Sequence, residues 1–145
     1  MMNEELIFIT SNADTTGNVI PLLHQIRHAL SQLLAQQEET TIDLRRLPLS
    51  ASEESQLETF LGHGEVKADI QALGDTVLIE SRYTGVWLET HYNEEAEIMG
   101  KYVHICDCPP LIKSQPEDMV LSLNNIVSDI QSMSDTSTND AAEED

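Results

Sequence analysis

The feature that most constrains this chain is a change of apolar period near residue 65. Before it, Val19, Leu22, Leu23, Ile26, Leu30, Leu33 and Leu34 recur at helical spacing, which predicts an amphipathic helix over residues 18–37. Pro21 sits in its first turn, where a missing N–H costs little. From Glu65 onward Val66, Ala68, Ile70 and Ala72 alternate with Glu65, Lys67, Asp69 and Gln71, the period of a strand with one solvated face. A chain that changes period in this way must build a sheet and cover it with helices.

The remaining segments fill in that plan. Residues 40–44 read as a short strand, and Ser50 with Glu53 forms a capping box opening a helix that buries Leu57, Phe60 and Leu61. Gly74-Asp75 predicts a hairpin turn into a strand over 76–83. Thr84-Gly85 reads as a glycine bulge, followed by strands over 86–92 and 98–106. A last helix over 116–133 carries Met119, Val120, Leu123, Ile126, Val127 and Ile130 on one face, with Ser114 and Glu117 as a second capping box. The expectation is an α+β fold: an antiparallel, four- to five-stranded meander with about three helices packed on one face. Residues 17–134 form the single domain. Residues 1–16 form a flexible segment in which Leu6-Ile7-Phe8-Ile9 reads as a short strand or an apolar arm. Residues 135–145, with five acidic groups and no large apolar side chain, predict a disordered tail.

Charge narrows the function. Seven basic and 26 acidic side chains leave −19 at pH 7 on 145 residues. Phosphate neutralisation needs a surplus of Lys and Arg, so the balance excludes a nucleic-acid binder and an anionic membrane surface. No apolar run approaches a membrane span, and Met1-Met2-Asn3-Glu4-Glu5 lacks the basic start of a secretory signal, which points to the cytoplasm.

Candidate chemistry is sparse. His24 and His28 have metal-clamp spacing but fall opposite the apolar stripe of their helix, and no Glu follows His24. His104, Cys106 and Cys108 alternate at the end of a strand and form the one weak metal candidate, for zinc or, with ligands from elsewhere, an iron–sulfur cluster. The plainer reading is two reduced cysteines entering a Pro-Pro turn. Asn12, Asp14 and Thr16 fail as a calcium loop because the twelfth position is Leu23. There is no phosphate loop and no nucleophile elbow, so no catalytic constellation is expected. Gly62 and Gly64 bracket His63 between the second helix and the sheet. Trp87, the only tryptophan, points away from Val86 and Leu88, either to solvent as an interface anchor or packed under a helix.

Several segments together resemble one family. These are Gly17-Asn18-Val19-Ile20-Pro21-Leu22-Leu23, Thr41-Ile42-Asp43-Leu44 with Leu47-Pro48-Leu49, Leu61-Gly62-His63-Gly64-Glu65-Val66, Gly85-Val86-Trp87 with His91, and Gln115-Pro116-Glu117-Asp118. In this order they resemble the HupH/HyaF hydrogenase-expression family over residues 17–129. The resemblance implies a non-enzymatic accessory factor in [NiFe]-hydrogenase maturation, without a cofactor, that attends the iron–sulfur small subunit. Its implied partners are the small-subunit precursor, which carries a twin-arginine leader, and other maturation proteins, while homodimerisation stays open. On that reading the candidate contact residues are Gly62, Gly64, Glu65, Gly85, Trp87, His91, Tyr92, Glu117 and Asp118. His63 between the glycines, and Cys106 and Cys108 after the fourth strand, depart from the family pattern. Two other classes remain beside it: a small metal or redox carrier using His104, Cys106 and Cys108, and a general acidic adaptor that binds through its tail.

Overall fold

A computed structural model describes the backbone of residues 17–143 and the side chains of residues 17–138. The readings of Leu6–Ile9 and of the Asn12–Thr16 loop lie outside the described residues. The chain divides after Pro109 into two compact units.

The first unit holds helix α1 (Val19–Gln36), strand β1 (Thr40–Asp43), a 3-10 turn (Leu44–Arg46), helix α2 (Ala51–Leu61) and strands β2 (Lys67–Ala72), β3 (Gly74–Glu80), β4 (Val86–Tyr92) and β5 (Ile98–Ile105). The sheet is antiparallel throughout in the order β1-β5-β4-β3-β2. Strands β2 to β5 are a meander, and β1 adds to its far edge with Ile42 opposite Val103. Leu22, Ile26 and Ala29 of α1 and Leu57 and Leu61 of α2 pack on Ile42, Val86, Val103 and Ile105 to form the core. Each such side chain taken from water stabilises the fold by about 1.5–3 kcal/mol. The expected α+β architecture is present, with five strands.

The capping box at Ser50 forms as the pattern predicts: the Glu53 N–H donates to Ser50 Oγ at 3.2 Å, and the Ser50 N–H donates to Glu53 Oε1 at 3.1 Å. Glu53 is fully buried, and its second oxygen accepts the N–H of Asn18, the residue preceding α1, at 3.2 Å. Asn18 Nδ2 also donates to the Pro48 carbonyl. One carboxylate therefore joins two helix N-termini, where the backbone dipoles favour negative charge. At the other edge of α2, Lys101 of β5 reaches Glu58 at 2.6 Å and Glu54 at 3.6 Å. Burial alone lowers the Lys101 pKa, but the hydrogen bond and charge of Glu58, joined by Glu54, outweigh it and raise the ammonium above its usual 10.5.

Several local expectations change. The β2–β3 turn centres on Leu73, one residue earlier than predicted, because Gly74 takes φ +86° and already pairs with Ala72. Strand β3 stops at Glu80, so Thr84-Gly85 belongs to a connection rather than a bulge. Ser81 N–H reaches the Val86 carbonyl and closes it, and the register shift lies at His91/Tyr92 instead. Val66 and Ala72 are exposed because β2 is an edge strand. Phe60 is exposed and stacks on Tyr83, and Leu34, in the last turn of α1, is 82 % exposed.

The second unit contains helix α3 (Pro116–Glu143). It begins at Pro116 with the Gln115 carbonyl accepting the Met119 N–H, so Pro at the first helical position, not Ser114, sets the start. The expected stripe is present, but it is exposed along its length, from Met119 through Ile130. The backbone stays helical to Glu143, across most of the segment for which composition predicts a disordered tail. Ser132, Thr136 and Thr138 each turn their hydroxyl onto the carbonyl four residues back, which satisfies these polar groups within the helix. Among the described residues no helix is long and apolar enough to cross a membrane.

Two outcomes follow from the helix anchors. Glu53→Ala leaves the Asn18 and Ser50 N–H groups without their acceptor and is expected to cost about 3 kcal/mol in urea unfolding, against under ~0.5 kcal/mol for Glu38→Ala at the surface; a loss below about 1 kcal/mol would contradict the anchoring role. The Lys101 contribution is complete below pH 10.5 and is lost as pH rises through the higher folded-state value. Above about pH 10 the wild type should therefore lose stability faster than Lys101→Met, and parallel stability curves would refute this.

Candidate functional site

The register of β4 against β5 places Trp87 opposite His104, Glu89 opposite Tyr102 and His91 opposite Gly100. These side chains share the sheet face that points away from α1 and α2. Thr41 of β1 lies opposite His104, and Thr76 and Leu78 of β3 lie opposite His91 and Glu89. Glu89 is buried at the centre. Its Oε2 accepts from His91 Nε2 at 2.7 Å, and its Oε1 sits 3.3 Å from His104 Nε2, an ion-pair separation without hydrogen-bond geometry. On its other side each ring meets a threonine, His91 Nδ1 with Thr76 Oγ1 at 2.7 Å and His104 Nδ1 with Thr41 Oγ1 at 3.0 Å. Tyr102 packs edge-on to His91 and stacks along His104.

The order hydroxyl, imidazole, carboxylate has the look of a nucleophile triad. Here, however, one carboxylate serves two rings, and Thr76 is 9 % exposed. The arrangement links four strands through side-chain contacts and fixes the orientation of both imidazoles, leaving His104 Nε2 without a hydrogen bond. Trp87 belongs to this face, as alternation predicts, but it is 5 % exposed and its Nε1 finds no acceptor among the described residues. Of the two readings of Trp87, solvent-facing or packed, the structure has it buried, on a face withdrawn from water at its centre, where Leu78 and Glu89 are buried too.

The two glycine stretches meet at a junction between α2 and the β3–β4 connection. Gly62 ends α2 with φ +62°, and a Cβ there would lie 2.8 Å from the Arg82 side chain. Arg82 in turn donates its backbone N–H to the Leu61 carbonyl and its guanidinium to the Phe60 carbonyl. Gly64 pairs with the Glu80 carbonyl and has no room for a side chain beside the Ser81 carbonyl, while the Glu65 N–H reaches Glu80 Oε1. Gly85, with φ +96°, lies against Leu30 of α1. These residues build a joint, and His63 is exposed above it.

Tyr92 sits at the far end of β4. There it lines an open hollow of about 530 Å³ between the β2–β3 turn and the β4–β5 loop, together with Asp69, Asp75, Glu94, Asn93 and Val77. Among the described residues the lining holds three carboxylates and no Lys or Arg, with Lys67 beside it 3.9 Å from Asp69. Glu117 and Asp118 lie in the first turn of α3, in the second unit. Thus Gly62, Gly64, Glu65 and Gly85 come together at the joint, Trp87 and His91 on the sheet face, and Tyr92 at the hollow.

The weak metal set does not converge. Cys106 is buried at the end of β5 with its N–H on the Gly85 carbonyl, and Cys108 turns its thiol toward the Pro109 carbonyl. Among the described residues, no group of three or more His, Cys, Asp or Glu is placed to hold a metal ion. His24 and His28 are exposed, as their helical phase predicts. Alternation sets Glu89 on the same face as Trp87 and His91, but sequence patterning missed Thr76 and Thr41, because only strand register reveals them as neighbours. It also missed the grouping of Asp69, Asp75 and Glu94, which are separate in the chain.

Comparison with known proteins fits these features into one family. Residues 16–133 match the family model described as HupH hydrogenase expression protein, C-terminal conserved region. A solved structure, the hydrogenase expression protein HupH from Thiobacillus denitrificans ATCC 25259, superposes with a TM-score of 0.78 at 32 % identity, covering 81 % of this chain and 98 % of that one. No curated protein sequence matches. The family model spans most of the chain and the solved relative covers 81 % of it, so the chain belongs to the HupH hydrogenase expression protein family.

Proposed function

We propose that this protein is a non-enzymatic assembly factor, of chaperone type, in [NiFe]-hydrogenase maturation, and that it engages the small-subunit precursor in the cytoplasm. Family membership supports the hydrogenase role. The observation that carries the binding mode is the hollow at the hairpin end of the sheet. Asp69, Asp75 and Glu94 surround Tyr92 there, in a chain of net charge −19. A basic segment such as a twin-arginine leader is drawn to such a surface over a Debye length of about 8–10 Å, and Tyr92 offers a ring face on which a guanidinium stacks. The neighbouring hairpin is anchored by backbone pairing from Lys67 to Ile79, which holds Asp69 and Asp75 without help from a partner.

The test is capture of tagged small-subunit precursor by the purified protein across a salt series. Retention is expected at low salt and loss at high salt, because exposed charge pairs are screened. Replacing Asp69 and Asp75 by Asn and Glu94 by Gln should weaken capture about tenfold, while Trp87→Phe, at a buried position, should change it little. Absence of retention at low salt, or capture indifferent to these three carboxylates, would remove the proposal.

A further inference from the structure

A second surface of the first unit has the opposite chemistry. A groove of about 380 Å³ runs between α1 and the α2/β3–β4 joint, lined by Ile20, Leu23 and Leu30 on one side, Phe60 and Tyr83 on the other, and Val86 beneath. Ile20 is 54 % exposed, and the stacked Phe60 and Tyr83 are 44 % and 40 % exposed, which is unusual for three large side chains side by side on a small domain. Among the described residues no carboxylate lines the groove. Arg27 of α1 is in its lining, and Arg82, outside the lining, lies over the ring of the lining residue Tyr83 at 5.6 Å. Arg46, Lys67 and Lys101 each pair with an acid, whereas Arg27 and Arg82, like Arg45 and Lys113, form no ion pair among the described residues.

Helix α3 carries the complement. Met119, Val120, Leu123, Ile126, Val127 and Ile130 form an apolar stripe in which each side chain is more than half exposed. No Lys or Arg occurs from Pro116 to the end of the chain. At about 100° per residue, Glu117 and Asp129 fall roughly 120° to either side of Leu123, so an acid flanks each margin of the stripe. The lengths agree as well: Ile20 to Leu30 spans about 15 Å and Met119 to Ile130 about 16 Å at 1.5 Å per residue.

We propose that the groove receives the 116–133 segment of α3 from a second copy of this chain, so that two copies exchange helices in a symmetric dimer. Each copy then supplies one groove and one helix, which is the self-complementary requirement of a two-fold interface. A helix seated by its apolar face in an apolar groove is a common recognition mode, and Arg27 and Arg82 set its polarity against Glu117 and Asp129. The inference is independent of the precursor reading, since the acidic hollow involves none of these residues.

Sedimentation equilibrium of the full chain tests it, with circular dichroism as the check on folding. A dimer is expected. Leu123→Asp, at an exposed position, should raise the dimer dissociation constant at least tenfold, and so should Arg27→Glu. Combining Arg27→Glu with Glu117→Lys and Asp129→Arg should restore dimerisation, a rescue that loss of fold would not produce. A monomer at every concentration, or a dimer unaffected by Leu123→Asp and Arg27→Glu, would overturn the proposal, and so would a failure of the charge exchange to rescue.

Discussion

Two helix N-termini converge on the carboxylate of Glu53, and the first unit depends on that meeting. Its oxygens accept from Ser50 and Asn18, residues that precede α2 and α1. An isolated carboxylate withdrawn from water would be costly, but here backbone donors and two helix dipoles supply the compensation. With the helix starts fixed together, Leu22, Ile26 and Leu57 reach the same patch of sheet. Lys101, set between Glu54 and Glu58, holds the outer side of α2 to β5. The helices are therefore located by polar contacts at their edges and stabilised by apolar contacts between them.

Once α2 is placed, its C-terminal end determines what stands at the surface. Gly62 turns the chain in a conformation that leaves space for Arg82, and Arg82 ties the Phe60 carbonyl to the β3–β4 connection. Phe60 and Tyr83 are thereby stacked at the surface, beside α1, instead of entering the core. The opposite end of the same sheet presents Asp69, Asp75 and Glu94 around Tyr92. A small domain thus carries an apolar, cation-edged surface near its helices and an acidic hollow at its hairpin turns. Between them the Glu89, His91 and His104 network ties strands β1, β3, β4 and β5 through buried polar contacts.

Local chemistry was legible in the sequence wherever it is decided within a few residues. The Ser50–Glu53 box, the helical phase that exposes His24 and His28, and the side of β4 on which Trp87 falls all follow from short-range spacing. Depth was not legible. Alternation assigns Trp87 to a face but does not say that the face is withdrawn from water. A capping box gives no sign that Glu53 also bonds Asn18, 35 residues away. The residues from Ser81 to Tyr83 read as the end of a strand rich in Val, Leu and Ile that begins at Thr76, yet the Ser81 hydroxyl binds the Tyr83 carbonyl and closes a turn. Helix α3 shows the reverse case: periodicity puts six apolar side chains on one face but does not say what covers them.

Family membership places the chain in hydrogenase expression, and the proposed reading adds that it acts there by contact. The decisive measurement is hydrogen-uptake activity, together with small-subunit processing, in cells that lack this chain and are then supplied with it. The account requires that activity fall and unprocessed small subunit accumulate without it, that the wild type restore both, and that the Asp69, Asp75 and Glu94 triple variant restore them poorly. Full hydrogenase activity in its absence would contradict the account.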